Sequence, residues 1–401
     1  MFSAIRPALA ATCWRVMGIL AVTVLAAAAV ARGAPADETA IGTWLAKPIL
    51  GADTAQREVE RFCEAKVAAL PAVANREAWE AYAHRLRNEV LDRVVLRGEA
   101  RQWADRPTRI EWLDTMDGGE GYRIRKLRYE AVPGLWIPAL LYEPSKLSGR
   151  VAVALNVNGH DAQGKAAAYK QIRCINQAKR GMMALNLEWL GMGQLRGDGY
   201  VHYCMNQLDL CGTSGLAPFY LAMKRGLDVL LTHPHADPAR VAVTGLSGGG
   251  WQTIVISALD PRVTLANPVA GYSSYRTRLA HHSDLGDSEQ TPTDLAAVAD
   301  YAHLTALLAP RPALLTYNAK DNCCFAAGHA LAPLLEAATP IYGLYDKKAS
   351  LQSHVNEDPG THNFEIDNRQ ALYRMLGKHF FADQADYSAT EIACESELKT
   401  E

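Results

Sequence analysis

A serine set among glycines, in the run Gly-Leu-Ser-Gly-Gly at residues 245–249, is the feature of this sequence best suited to chemistry. It follows a β-branched apolar run that ends at Thr244 and precedes an apolar stretch from Trp251 to Leu259. A strand, a tight turn and a helix in that order hold a serine in a strained backbone conformation with its hydroxyl exposed. The glycines let the turn close because they carry no side chains. We therefore predict that Ser247 is a nucleophile.

A serine nucleophile needs a histidine base within hydrogen-bond reach, and the last histidines of the chain are the candidates. His362 lies in the turn-rich segment 358–364, between the last predicted strand and the last predicted helix. His354 falls within that strand and His379 within that helix. We predict His362 as the base, and a loop or capping histidine is the alternative interpretation.

The base in turn needs a carboxylate that fixes its tautomer, and sites of this kind have the chain order serine, acid, histidine. Asp321 follows an apolar strand predicted at residues 312–317, and the carboxyl ends of parallel strands are where such sites form. We predict Asp321 as the acid. The alternatives follow the preceding predicted strand, and they are Asp284, Asp287 and Glu289.

An oxyanion needs two N–H donors, and two segments can supply them. Gly248, directly after the serine, offers one, and the loop at residues 158–164 offers the other through His160 or Asp161. We also expect Trp251 and His160 to contact the substrate. No partner of His160 lies at ligand spacing and no Cys-x2-Cys pair is present, so we predict no metal and no other cofactor. His160 as a metal ligand is the alternative interpretation.

The elements that position these residues alternate between strand and helix from residue 151 to residue 381. Such alternation predicts an α/β fold with a mostly parallel sheet and helices on both faces, because parallel strands need crossovers. The segment 109–142 predicts an antiparallel start to that sheet. The predicted organisation is a signal peptide at 1–36, a helical amino-terminal extension at 37–105, a catalytic domain at 106–385 and a tail at 386–401.

The first 36 residues have the order of charged, apolar and small regions that is typical of a signal peptide. The apolar run, from Met17 to Val30, is short for a spanning helix, which needs about 20 residues. We expect cleavage after Gly33 or Ala36, a secreted or periplasmic protein, and no membrane contact afterwards. An uncleaved membrane anchor is the alternative.

Composition and charge exclude several function classes. The 401 residues are 49% hydrophobic and 21% charged, which is typical of globular proteins and argues against disorder or a coiled coil. The net charge of −2 becomes −5 without residues 1–36, which carry three arginines and no acidic residue. A mildly acidic chain without a basic patch or a phosphate-binding loop is not expected to bind nucleic acid. Seven cysteines lie beyond Cys13, and their spacing leaves the disulfide pairing open.

Several motifs in the right order make this sequence resemble the α/β-hydrolase superfamily from about residue 122 to residue 381. More narrowly, it resembles the bacterial acetylxylan-esterase-like exported serine hydrolases. The similarity is carried by residues 122–129, 133–138, 158–160, 245–251 and 359–363. It implies a triad of Ser247, Asp321 and His362. The chain lacks a His-Gly-Gly-Gly run of the lipase kind, which argues against bulky lipid esters.

The predicted function is hydrolysis of carboxylic esters through an acyl-enzyme. A polar loop at residues 272–294 is predicted as a pocket wall or lid. Together with export and with Trp251 near the nucleophile, it favours a small-molecule or carbohydrate ester such as acetylated polysaccharide. An exported serine peptidase is one alternative, although the helical extension is too short for the propeller that usually guards such an enzyme. A non-catalytic binding protein on the same fold is the other. The sequence leaves the oligomeric state open.

Overall fold

The structure, a computed structural model, describes residues 38–197 and 201–400. The predicted signal peptide at 1–36 lies outside the described residues. The chain divides into two compact units, residues 1–61 and residues 62–401. No helix among the described residues has the length and apolar character needed to span a bilayer.

The described part of the first unit is helical, with α1 (Glu38–Leu45) and most of α2 (Thr54–Lys66). α2 has no buried residue and carries an exposed ion pair between Arg57 and Asp53. The large side chains of Trp44 and Ile49 are also exposed.

A nine-stranded sheet forms the centre of the second unit. Its strands are β1 (Ile110–Gly119), β2 (Tyr122–Val132), β3 (Leu135–Pro144), β4 (Val151–Asn156), β5 (Met183–Leu187), β6 (Ala236–Leu246), β7 (Leu265–Val269), β8 (Ala313–Asn318) and β9 (Leu351–Asn356). They lie in the order β1-β2-β3-β5-β4-β6-β7-β8-β9. β1 pairs with β2, β2 with β3, and β3 with β5, all antiparallel. The remaining neighbours, in the order β5-β4-β6-β7-β8-β9, pair parallel. The predicted α/β sheet with an antiparallel start is therefore confirmed.

Helices connect these strands. They are α3 (Arg76–Val90), α4 (Ala100–Ala104), α5 (Ala168–Lys179), α6 (Gln207–Leu210), α7 (Ala217–Leu231), α8 (Gly248–Leu259), α9 (Tyr275–Ala280), α10 (Leu295–Val298), α11 (Tyr301–Ala306), α12 (Ala327–Gly343) and α13 (Ile366–Phe380). A π-helical turn, Leu91–Val95, continues α3. Single 3-10 turns cover Gly164–Ala166, Gly193–Leu195, His202–Asn206, His282–Asp284, Ser288–Gln290, Lys348–Ser350 and Glu395–Glu397.

Successive side chains of a strand point to opposite faces of the sheet, and helices cover both faces, so both sets of side chains are buried. In β4, Val153 and Leu155 enter one apolar cluster together with residues of α7 and α8, whereas Ala152 and Ala154 enter a second cluster with residues of α13. Trp79 of α3 packs into the first cluster, so this helix shares the core of the sheet.

The carboxyl ends of the parallel strands place the loops that matter for chemistry along one edge of the sheet. β4 is followed by the loop that carries His160, β6 by Ser247, β8 by Asp321 and β9 by His362. Strand order alone therefore brings four sequence-distant segments to the same edge.

Candidate active site

Ser247 occupies the sharp turn between β6 and α8, with φ 59° and ψ −124°. A non-glycine residue at positive φ is strained and persists only when its surroundings hold it there. The Ser247 N–H donates to the carbonyl of Val269 on β7 at 2.9 Å, which anchors the turn to the sheet. The conformation is the one that the sequence pattern predicts for a nucleophile.

The glycines around Ser247 are required by close packing. A Cβ atom on Gly245 would lie 2.3 Å from the carbonyl oxygen of Val157, and one on Gly248 would lie 1.6 Å from the ring of Trp189. Neither position has room for a side chain. Gly248 also begins α8, and the first N–H groups of a helix have no intrahelical acceptor, which leaves them free to face an anion.

His362 and Asp321 form a close pair in the loops after β9 and β8. His362 Nδ1 lies 2.8 Å from Asp321 Oδ2 and 3.0 Å from Oδ1. The Asp321 side chain is buried and also accepts hydrogen bonds from the N–H of Cys323 at 3.0 Å and from Asn318 Nδ2 at 3.1 Å. Because Nδ1 faces the carboxylate, Nε2 is the ring nitrogen left for proton transfer.

The pair also shifts the titration of both groups. Burial alone lowers the pKa of His362, but the hydrogen bond and negative charge of Asp321 outweigh it, so the pKa of His362 is raised. Burial raises the pKa of Asp321, but the hydrogen bond and charge of His362, with the bonds from Asn318 and Cys323, lower it overall. Both shifts favour an ionised carboxylate beside the imidazole.

A network of asparagines holds the two loops in place. Asn368 Nδ2, on α13, donates to Asn318 Oδ1 at 2.9 Å, and Asn318 in turn donates to Asp321. Asn363 Nδ2 donates to Asn356 Oδ1 at 3.1 Å, which ties the residue after His362 to the end of β9. Such outer partners fix the orientation of the groups that they support.

The rival acids have other partners. Asp284 accepts from Ser273 Oγ at 2.8 Å and contacts His329 Nε2 at 3.0 Å. Asp287 contacts His160, and Glu289 contacts His202. The structure therefore brings Asp321, and none of these three carboxylates, into hydrogen-bond contact with His362 among the described residues.

The predicted oxyanion loop packs against the start of α8. A Cβ atom on Gly159 would lie 2.9 Å from the nitrogen of Gly248, and Asn158 accepts a hydrogen bond from the side chain of Gln252. His160 follows directly, and Asp161 closes a turn in which its side chain accepts from the Gln163 N–H at 3.0 Å. Both predicted donor segments thus meet beside Ser247.

Trp251 does not line the site, and the prediction that it contacts the substrate is wrong. Its side chain is fully buried, and its Nε1 donates to Tyr301 Oη at 2.7 Å. Its ring packs between Trp189 and Phe219. The first turn of α8 directs this residue into the core, where the indole N–H has already found its partner.

One cluster at the site was not predicted. His160 had no partner at ligand spacing along the chain, but the structure places His202, Asp287 and Glu289 around it. These residues come from two other segments, so chain spacing could not reveal them. The available signal was the concentration of histidine and acidic residues in the 272–294 segment, which follows β7 at the same sheet edge.

Known proteins resemble this chain in sequence and in fold. Residues 118–291 match the family model of the acetyl xylan esterases, a range that contains Ser247 but neither Asp321 nor His362. No curated protein sequence matches the chain.

Three solved structures illustrate the likeness in fold. Methylesterase BT1017 has a TM-score of 0.61 at 20% identity, with 87% of this chain and 73% of that chain covered. A glucuronoyl esterase from Teredinibacter turnerae has a TM-score of 0.58 at 16% identity and coverages of 79% and 88%. An acetyl xylan esterase from Paenibacillus sp. R4 has a TM-score of 0.52 at 16% identity and coverages of 80% and 99%.

The fold and the family match agree with each other. The fold is that of the α/β-hydrolases, and the matched region holds the serine turn and the strands that support it. The chain therefore has the α/β-hydrolase fold, and its residues 118–291 are similar in sequence to the acetyl xylan esterases, a family of carboxylic ester hydrolases.

Proposed function

We propose that this chain is an exported esterase that removes acetyl or other small acyl groups from carbohydrates, with Ser247, His362 and Asp321 as its catalytic triad. The observation that carries the proposal is the pairing of His362 Nδ1 with the buried Asp321 carboxylate, at the sheet edge where Ser247 stands in a left-handed turn. This arrangement supplies a base of fixed tautomer to a serine whose turn exposes the hydroxyl.

Acylation begins when Ser247 Oγ attacks the ester carbonyl while His362 Nε2 takes its proton. The negative charge that develops on the carbonyl oxygen is stabilised by the N–H of Gly248 and by an N–H of the loop at His160 and Asp161. Removing one such donor typically costs about 3 kcal/mol of transition-state stabilisation. His362 then gives its proton to the leaving alcohol, and Asp321 stabilises the imidazolium.

Deacylation repeats the same steps with water. His362 removes a proton from the water, the resulting nucleophile attacks the acyl group on Ser247, and the serine leaves with the proton that His362 returns. The residues needed for both halves belong to this chain.

The proposed substrate class is supported by the similarity to known esterases and by the polar segment 272–294 beside the site. The matched family is described as acetyl xylan esterase, and the solved neighbours bear names of esterases that act on sugars or methyl esters. The 272–294 segment borders the site with polar groups, which suits a hydrated sugar better than a lipid chain.

The decisive experiment measures hydrolysis of p-nitrophenyl acetate and acetylated xylan by wild type, Ser247→Ala and His362→Ala. We expect both substitutions to lower kcat by about 10⁶, as loss of a nucleophile or base does in other serine hydrolases. Ser283→Ala, at an exposed serine of the 272–294 segment, is the matched control and should keep wild-type activity. Full activity of Ser247→Ala would refute the triad, and faster cleavage of a glucuronate methyl ester than of acetyl esters would refute the acyl class.

Export is part of the proposal and rests on the residue pattern of positions 1–36. Amino-terminal sequencing of the protein secreted by a bacterial host should give a chain that begins after Gly33 or Ala36. A protein that stays in the cytoplasm with an intact amino terminus would contradict it.

A further inference from the structure

Four side chains from three segments converge beside the oxyanion loop. His160 follows β4, His202 lies in a 3-10 turn, and Asp287 and Glu289 lie in the segment after β7. One ligand atom from each lies within 4.8 Å of the others. His160 Nε2 is 2.6 Å from His202 Nε2 and 3.1 Å from Asp287 Oδ2, and His202 Nε2 is 3.9 Å from the same oxygen.

When both imidazoles of this cluster are neutral, as metal binding requires, its lone pairs outnumber its protons. His202 Nδ1 lies 2.9 Å from Glu289 Oε1, so the carboxylate favours the tautomer with its proton on Nδ1. His202 Nε2 is then a bare lone pair. His160 Nε2 can direct one proton either to that lone pair or to Asp287, but not to both. In the neutral form of both rings, which is the form that binds a metal, three Lewis-basic atoms therefore meet with at most one proton between them.

Glu289 adds an independent reason to place a cation here. Its side chain is 1% exposed, and that of His202 is 5% exposed. The contact to His202 is short but poorly aligned, and neither Glu289 oxygen has a well-formed hydrogen bond among the described residues. Burying a carboxylate without a hydrogen-bonded counterion is costly. A positive charge held by His202 would offset that cost through the ring.

We propose that His160, His202 and Asp287 bind a divalent transition metal of the zinc type, with Glu289 orienting His202 from behind. Two imidazole nitrogens and one carboxylate oxygen form a donor set that zinc accepts, with a fourth position left for water or a substrate oxygen. Zinc bonds of about 2.0–2.1 Å in a tetrahedral arrangement separate ligand atoms by about 3.3 Å. The three distances in the cluster lie on either side of that value, so small ring rotations suffice.

A second group of ligand atoms, from Cys323, Cys324 and His362, is a weaker candidate. His362 Nδ1 already faces Asp321, and a metal on its Nε2 would remove the base that the proposed mechanism requires.

The location gives the ion a role at the active site. The ring of Trp189, against which Gly248 packs, also lies 4.8 Å from the ring of His160 and 5.4 Å from that of His202, measured between centroids. The ring of Trp189 would thus lie between the ion and the start of α8. The ion would also link the three segments that carry His160, His202 and Asp287. Because binding does not involve Ser247, the inference goes beyond the proposed function and does not depend on it.

The test is zinc binding by the purified chain after dialysis against a chelator. Calorimetric titration with zinc chloride and metal analysis should give one zinc per chain, and zinc should raise the Tm because it binds the folded state. Asp287→Asn and His160→Gln should weaken binding by more than about 100-fold, and Glu289→Gln by about 10–100-fold, as is usual for the partner of a ligating histidine. Asp294→Asn, a carboxylate with 60% exposure in the same segment, should bind as wild type does.

Three outcomes would overturn the proposal. They are absence of zinc binding in wild type, unchanged binding in both Asp287→Asn and His160→Gln, and loss of binding in Cys323→Ala instead. Circular dichroism shows whether each variant is folded. If Asp287→Asn does not fold, His160→Gln still tests the proposal, because the side chain of His160 is 35% exposed. Ser247→Ala should keep its zinc, so failure of the esterase proposal and failure of the metal proposal are distinguishable.

Discussion

Two buried carboxylates beside the same sheet edge, Asp321 and Asp284, each pair with a histidine but hold it differently. Asp321 meets Nδ1 of His362, which lies in a loop. Asp284 meets Nε2 of His329, which lies on α12. Both side chains have no exposed area, and both accept main-chain N–H groups, in the case of Asp284 from Phe325 at 2.9 Å. Burial and hydrogen bonding alone therefore do not decide which of these two carboxylates acts in catalysis.

The two pairs differ in which ring nitrogen of the histidine the carboxylate leaves unengaged. His362 keeps Nε2 for proton transfer, because the carboxylate occupies Nδ1. His329 has its Nε2 engaged by Asp284, and its ring stacks on that of His281 with centroids 3.9 Å apart. The Asp284 pair thus joins the 272–294 segment to α12, and the N–H of Phe325 joins the same carboxylate to the loop after β8.

The largest expected effect that separates the two pairs is on catalysis. Asp321→Asn keeps an oxygen for the N–H groups of Cys323 and Cys324 but presents the wrong partner to His362 Nδ1, so kcat/KM for p-nitrophenyl acetate should fall by about 10⁴. The matched change Asp284→Asn should lower it less than about tenfold, a loss well below that of a missing triad member. Equal losses in the two variants would show that Asp284 contributes to catalysis as much as Asp321 does.

The next effect is on stability, and here the substitution of Asp284 should cause the large change. Asp284→Ala leaves the N–H of Phe325, the hydroxyl of Ser273 and the ring of His329 without their acceptor in a buried place, which should lower the free energy of unfolding by about 3 kcal/mol. Urea unfolding followed by circular dichroism measures it. Asp294→Asn, in the same segment but exposed, should change it by less than about 0.5 kcal/mol, because asparagine tolerates the positive φ of 67° at this position. A loss as small for Asp284→Ala would show that the pair is dispensable.

The sequence was sufficient for the fold because its signals are local. Alternating strands and helices determine a parallel sheet, and the order of Ser247, Asp321 and His362 along that sheet follows from the loops after its strands. The strand and helix pattern did not reveal that α10 and α11 are two separate helices, which are divided because Asp300 adopts an extended conformation and caps the second. The capping residue was visible in the sequence, but its conformation was not.

The parts that could not be predicted depend on packing between distant segments. Trp251 stands four residues after Ser247, and only the packing of α8 decides that its ring points into the core rather than to the substrate. His202 and Asp287 lie far from His160 along the chain, so no spacing rule applies to them. Side-chain direction and long-range convergence are tertiary properties, and they decide which polar residues of a loop become ligands.

The smallest expected effect is a shift of the pH profile, and it sharpens the comparison further. His362 must be neutral to accept a proton, so kcat/KM falls as the pH drops through its pKa. Because Asp321 holds the pKa of His362 above its ordinary value of 6.5, the acid limb of wild type should lie above pH 6.5. In Asp321→Asn the charge is gone and burial favours the neutral ring, so the limb of the residual activity should move to lower pH. In Asp284→Asn it should stay where it is in wild type, because the charge removed there faces His329. A limb that moves equally in both variants would mean that the charge near His362, rather than its bonded partner, sets the titration.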